Sequence, residues 1–270
     1  MNQAVVLFDQ DHQNHIELLA QRFEVIKKLD SLSNKHAAKN KIEVKGPRFV
    51  LQFLSGKLSL LDRSLPKIKP IFVDFAEGKN AHRSQFGGGI SQPVAKAVGL
   101  NKQRSLHIFD ATAGMGADSF VFASVGAKVT LCEQHPVVHA LLEDGLQRAS
   151  LNAQAHKITQ NMTLLPWGEN KNSLTFLEST ETMFDVIFFD PMFPARQKSA
   201  AVKKEMTIFH DLVGEDQNED RFLDVALQKV KFRVVVKRPK LAEHYANKTP
   251  SFIQEGKSGR FDLYTINKIA

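Results

Sequence analysis

A chain of 270 residues with 36 Lys+Arg against 29 Asp+Glu has a formal charge of +7, which permits a polyanionic partner without requiring one. Its length is beyond that of a stapled mini-scaffold, and 43% hydrophobic residues exclude wholesale disorder; the one cysteine, Cys132, excludes an intramolecular disulfide and a cysteine-based metal site. No apolar run approaches the roughly 20 residues that cross a bilayer and residues 1–20 carry no secretory pattern, so the expectation is a cytoplasmic protein with no membrane partner and no metal.

In chain order, residues 1–70 read as a small α+β module without a catalytic motif. Residues 4–8 (AVVLF) suit a short strand, and residues 15–29 place apolar side chains at helical spacing behind Asp11 or Asn14 as a cap. Residues 31–40 are polar and lysine-rich, and residues 41–61 return to strand-like alternation. Residues 71–100 hold FVDF, Ala81-His82-Arg83 and three glycines after Phe86. That run suits a flexible linker as well as a close backbone approach to a ligand. From residue 100 a regular alternation begins. Apolar runs at 105–111, 127–133, 162–167, 184–191 and 232–237 are separated by helical patterns at 118–124, 136–149 and 212–229. Continuous apolar strands between helices predict an α/β, mostly parallel sheet covered on both faces over residues 71–270. Residues 251–254 and 261–267 around EGKSG predict an antiparallel hairpin at the sheet edge.

The first strand of the alternation runs into Asp110-Ala-Thr-Ala-Gly114-Met-Gly116-Ala117-Asp118 and then directly into a helix. This strand-to-helix turn is where nucleotide-like ligands dock in open α/β sheets, because glycines admit close approach and the helix start presents free amides. Seventeen residues after Gly116, Glu133 stands at the end of the second strand, placed to accept bonds from two ribose hydroxyls. A dinucleotide fingerprint wants glycine or alanine at residue 119, which is Ser119 here. Residues 110–145 also hold five acids (Asp110, Asp118, Glu133, Glu143, Asp144) against one base, Lys128. Carboxylates repel a pyrophosphate but suit the ammonium and sulfonium of S-adenosylmethionine. Taken singly, a G-x-G fits many tight turns, Asp118 fits a helix cap and Glu133 a solvated strand end; the set together carries the reading.

The fourth strand delivers Asp190-Pro191-Met192-Phe193 to the same sheet edge. Methylating an exocyclic base amine requires acceptors that restore the nitrogen lone pair, and Asp190 with the Pro191 carbonyl would supply them. Proline leaves no N–H to compete, and Phe193 would stack on the base, worth about 1–3 kcal/mol. A lone D-P-x-F is more often a tight turn; its company with the glycine loop and Glu133 favours catalysis. Arg196, Lys198, Lys203 and Lys204 follow, and residues 229–240 add six bases, Lys237 and Arg238 among them, with no acid. Such clusters at strand ends suit nucleic-acid phosphates, although a charge run is usually a solvated face. His82 and Arg83 read as surface residues, and Cys132 as core.

DATAGMGAD, Glu133, DPMFPARQKSAAVKKEM, VVVKRP and GKSGRFDLY, with FVDF, AHR and FGGG upstream, resemble the bacterial small-subunit ribosomal RNA guanine-N2 methyltransferases of the J type. The resemblance spans about residues 71–267. It implies a Rossmann-like class I fold and S-adenosylmethionine-dependent methylation of a guanine N2 in 16S rRNA, with that RNA or the small ribosomal subunit as partner in the cytoplasm. Ala117-Asp118, Glu133-Gln134 and Asp190 fall on the family's cofactor positions. Ala117 and Gln134 replace arginines usual there, and residues 166–173 depart from the expected turn, leaving Gly168, Glu169 or Asn170 to edge the adenine. The rival readings are an adenine amine methyltransferase acting on RNA or DNA, a non-catalytic RNA-binding protein with a degenerate pocket and, more distantly, an NAD-dependent oxidoreductase. The sequence sets no oligomeric state.

Overall fold

The computed structural model describes residues 5–7, 19, 22–26, 34–36, 42–44, 47–77, 89–168, 172–191, 219–256 and 259–269. These group into two units. One draws on Met1–Val73 and Pro136–Gly145, the other on Asp74–His135, Leu146–Phe193 and Glu215–Ala270.

The first unit holds β1 (Val5–Leu7), β2 (Glu24–Ile26), β3 (Asn34–His36), β4 (Ile42–Val44), β5 (Phe49–Leu54) and β6 (Lys57–Asp62). Strands β2-β1-β5-β6 form one sheet, with β1 parallel to β2 and β5, while β3 and β4 pair antiparallel. β5 and β6 are a hairpin whose inward residues Phe49, Leu51, Leu58 and Leu60 are fully buried. The helix expected over residues 15–29 gives way at Glu24–Ile26, where Val25 and Ile26 pair with β1. Two β-branched residues beside a free strand edge favour the ladder over local helical spacing. The polar stretch 31–40 likewise contains a strand, β3.

In the second unit the alternation after residue 100 becomes a seven-stranded sheet. Its strands are β7 (His107–Asp110), β8 (Lys128–Leu131), β9 (Met162–Leu164), β10 (Phe184–Phe189), β11 (Val230–Arg238), β12 (Phe252–Glu255) and β13 (Arg260–Thr265). The order is β12-β13-β11-β10-β7-β8-β9, parallel from β9 to β11 and closed by the antiparallel β13 and β12. The helices are α1 (Pro93–Ala97), α2 (Ala117–Ser124), α3 (Pro136–Ser150), α4 (Ala153–Thr159), α5 (Ser173–Ser179) and α6 (Glu219–Gln228). The first ten residues of α3 group with the first unit. Helices α4 and α5 are not apparent in the sequence pattern because two turns leave too little periodicity to read. Each starts at an asparagine, Asn152 or Asn172, whose side chain accepts backbone amides of the first turn.

One face of this sheet packs aromatics of successive strands against α5 and α6. Phe189 stacks on Phe222 at 4.3 Å and Phe109 on Phe184 at 5.0 Å. On the other face Phe122 of α2 meets Phe188 at 5.3 Å. From β7 the chain builds outward through β8 and β9, then returns to place β10 on the other side. The carboxyl ends of β7 and β10 therefore flank the switch point, where such sheets open a ligand crevice. No helix among the described residues is long and apolar enough to cross a membrane.

Candidate active site at the carboxyl edge of the sheet

Asp110 ends β7 and is 1% exposed. Its carboxylate accepts the Ser119 hydroxyl at 2.5 Å and the Thr112 N–H at 3.2 Å. Ser119, the residue that breaks the dinucleotide fingerprint, thus serves to hold this buried acid. Gly116 caps α2 with φ 72°, a left-handed conformation that costs a side-chain-bearing residue about 1–2 kcal/mol. Glu133 accepts the Gly114 N–H at 2.8 Å on one oxygen and the His135 N–H at 2.7 Å on the other. The turn after β10 is tied to the glycine loop by the Asp190 N–H, which donates to Thr112 Oγ1 at 2.7 Å. Lys237, next to last in β11, donates to Asp190 Oδ2 at 2.6 Å and to Asp118 Oδ2 at 3.2 Å.

The electrostatics follow from this crowding. Burial pushes the Asp110 carboxyl up to about 7; its two hydrogen bonds oppose the shift, and Asp118 and Asp190 add to it. Burial also raises Asp190, with Lys237 pulling the other way. Burial alone would lower the Lys237 ammonium, but Asp190 and Asp118 outweigh it and hold its pKa above the ordinary lysine value. The buried Cys132 thiol is pushed up to about 12 by burial, then by Glu133 and Asp110, so it stays protonated as a core residue.

The structure thus assembles Asp110, Gly114, Gly116, Ala117, Asp118, Glu133, Asp190 and the buried Pro191 at one edge, with exposed Gln134 following Glu133. Gly168 lies past the end of β9 with open space where a side chain would stand. Glu169, Asn170, Phe193, Arg196, Lys198, Lys203 and Lys204 lie outside the described residues, as do His82, Arg83 and Phe86. Three expectations are corrected. Lys237 is not an unengaged base on the lip, because its ammonium is bound between two site carboxylates. Arg238 is 7% exposed and spends its guanidinium on the Glu243 carbonyl at 2.6 and 3.1 Å. Lys229, Lys231 and Arg233 sit at the amino end of a strand parallel to β10, hence at the opposite sheet edge, bonded to Thr180 O, Asp185 and Ala97 O. Of the five acids in 110–145, Glu143 pairs with Arg22 and Asp144 accepts the Leu58 N–H within the first unit, leaving Asp110, Asp118 and Glu133 at the glycine loop. Thr112 and Ser119 are the site residues that sequence reading missed; the only signal was a hydroxyl on either side of the glycines.

A buried acid, a left-handed glycine at a helix start and an acid at the second strand end form a cradle whose charge favours a cation. Such a donor set fits S-adenosylmethionine and not a pyrophosphate. A seven-stranded sheet of this order with this cradle at its switch point defines an S-adenosylmethionine-dependent methyltransferase. The family profile described as "Putative SAM-dependent methyltransferase" matches residues 34–266, beginning upstream of the motifs quoted above. The crystal structure of a SAM-dependent methyltransferase from Neisseria gonorrhoeae superposes with a TM-score of 0.69 at 32% identity, covering 97% of this chain and 95% of that one. Proteins named ribosomal RNA small subunit methyltransferase J are more similar in sequence. The one from Colwellia psychrerythraea is 50% identical over 221 residues, 82% of this chain and 79% of the relative. That from Mannheimia succiniciproducens is 47% identical over 212 residues, 78% of this chain and 82% of the relative. The chain belongs to the ribosomal RNA small subunit methyltransferase J family.

Proposed function

We propose that this chain methylates the exocyclic N2 amine of a guanine in 16S ribosomal RNA, acting in the cytoplasm on the RNA or the small subunit. The observation that carries the reading is the Asp190-Pro191 turn tied through Thr112 to the acid-lined glycine loop at the switch point. Bound S-adenosylmethionine supplies a methyl group on a positively charged sulfur. Asp110, Asp118 and Glu133, with the backbone of Gly114, Gly116 and Ala117, hold the cofactor; Gln134, Gly168 and Glu169 border it.

Asp190 and the Pro191 carbonyl accept the two N–H bonds of the amine, which frees the nitrogen lone pair to form the new N–C bond. Bound S-adenosylmethionine would give up its methyl group with the C–S electron pair staying on sulfur, and Asp190 or water would take the proton that the methylated amine loses. Phe193 stacks on the guanine, while Arg196, Lys198, Lys203 and Lys204 contact phosphates. Residues 1–70 are a small appended module and 71–270 the methyltransferase domain.

The test uses 16S RNA and small subunits from a strain lacking this gene, incubated with labelled cofactor and analysed by nucleoside mass spectrometry. N2-methylguanosine is the expected product. N6-methyladenosine would shift the reading to an adenine amine methyltransferase, and failure to bind S-adenosylmethionine by calorimetry would leave an RNA-binding module.

A further inference from the structure

Lys237 has a charge and a position that phosphate binding does not explain. Its ammonium joins three elements: the end of β11, the turn after β10 and the first turn of α2. Two of its three N–H groups are taken, by Asp190 Oδ2 at 2.6 Å and Asp118 Oδ2 at 3.2 Å. Two anchors fix the nitrogen in place, whereas one would let it swing. Among the described residues Asp190 takes no hydrogen bond on Oδ1.

Stability does not account for the arrangement. The Lys237 and Asp190 side chains are only partly buried, at 39% and 35% exposed, and water that reaches an ion pair of this kind keeps its net contribution to about 1 kcal/mol or less. The amine reading of Asp190, by contrast, needs what Lys237 provides. An exocyclic NH2 donates, and an ionised Asp190 offers an acceptor on each oxygen, whereas a protonated one turns one of them into a donor. Among the described residues the charged groups facing Asp190 are Asp118 on α2 and Lys237 on β11, with the buried Asp110 on β7 close by; burial and Asp118 favour its protonation, and Lys237 opposes them.

We propose that Lys237 is the positioning residue for the methyl acceptor: by binding Asp190 Oδ2 it keeps that carboxylate ionised and leaves Oδ1 as the acceptor for the amine. The proposal rests on the reading of Asp190 as the amine-binding carboxylate. It adds no covalent step, since Lys237 neither gives nor takes a proton during methyl transfer.

The experiment compares the full-length wild type, Lys237→Met, Lys237→Arg and Asp190→Asn. It measures kcat and KM from about pH 5.5 to 9 on small-subunit RNA, with calorimetric titration of S-adenosylmethionine and circular dichroism alongside. Lys237→Met is expected to keep cofactor affinity within about threefold while the acid limb of kcat moves up by about one pH unit or more. Lys237→Arg, which keeps the charge, restores the limb. An unmoved limb in Lys237→Met, or equal losses in Met and Arg variants at every pH, overturns the proposal. Lys237→Gln removes the charge but keeps a donor, and gives the same test if the methionine variant does not fold. Asp190→Asn separates the two ideas. If it keeps the wild-type acid limb, the Asp190 reading fails; if it loses the limb while Lys237→Met keeps it, only the Lys237 proposal fails.

Discussion

Thr112 shows how much one hydroxyl can organise. Its N–H donates to Asp110 and its Oγ1 accepts the Asp190 N–H, so cofactor and acceptor carboxylates share one residue. Thr112→Val keeps the shape but leaves a partly buried amide without its acceptor, a loss of about 1–3 kcal/mol. We expect a lower melting temperature and a kcat reduced on the order of tenfold, because small displacements of a reacting group are costly; calorimetry should find cofactor affinity little changed. Asp110 yields a pH prediction. Its folded pKa of about 7 lies above the unfolded value of about 3.9, so between those values the unfolded chain has released a proton that the folded one keeps. Stability from this group is therefore fully present below about pH 4 and is lost as pH rises through 7. Asp110→Asn should flatten the difference in melting temperature between pH 5 and pH 8. The part played by Thr112 was not legible in the sequence. Asp110, Gly114, Gly116 and Glu133 stand out because glycine and acid at set offsets have a local meaning, whereas the hydroxyls of Thr112 and Ser119 gain theirs only from partners across the fold.

At the level of elements, the apolar strands and the longer amphipathic helices were legible within a few residues, the three-residue β1 and β9 included, whereas β2, β3, α4 and α5 were not. β2 and β3 have three residues each, too few for a period to outweigh flanking residues that suggest helix or coil. Helix α3 contains a second case in Gly145. Glycine inside a helix costs about 1 kcal/mol relative to alanine, so alanine would be preferred there on propensity. A Cβ at Gly145, however, would stand 2.4 Å from Val73 Cγ1 and 2.6 Å from Val73 Cβ. The second atom is bonded to the backbone, and overpacking of this kind costs about 1–3 kcal/mol. Gly145→Ala is accordingly expected to lower the denaturation midpoint despite its better helix propensity; a raised midpoint would show that the helix shifts at no cost.

Over the whole molecule the formal charge of +7 conceals opposite local signs. Asp110, Asp118, Glu133 and Asp190 line the site, where Lys237 binds two of them, while the bases assigned to RNA lie in the chain after it. Cofactor and RNA should therefore respond differently to salt. Raising it from about 50 to about 200 mM should increase KM for RNA on the order of tenfold or more, as released counterions oppose phosphate contacts, and change S-adenosylmethionine affinity far less. Equal responses would place the bases elsewhere. By itself, the sequence determined the α/β alternation, the strand-to-helix glycine loop, the Asp-Pro turn and the family motifs, because each is written in neighbouring residues or in a short period. Only the tertiary structure decided which charges meet. The six bases of residues 229–240 read as one patch, yet the parallel direction of β11 sends Lys229, Lys231 and Arg233 to one edge of the sheet and Lys237 and Arg238 to the other. Asp118, Asp190 and Lys237 come together because β10 and β11 lie side by side and α2 begins above them. Strand order sets those distances, and no spacing along the chain encodes it.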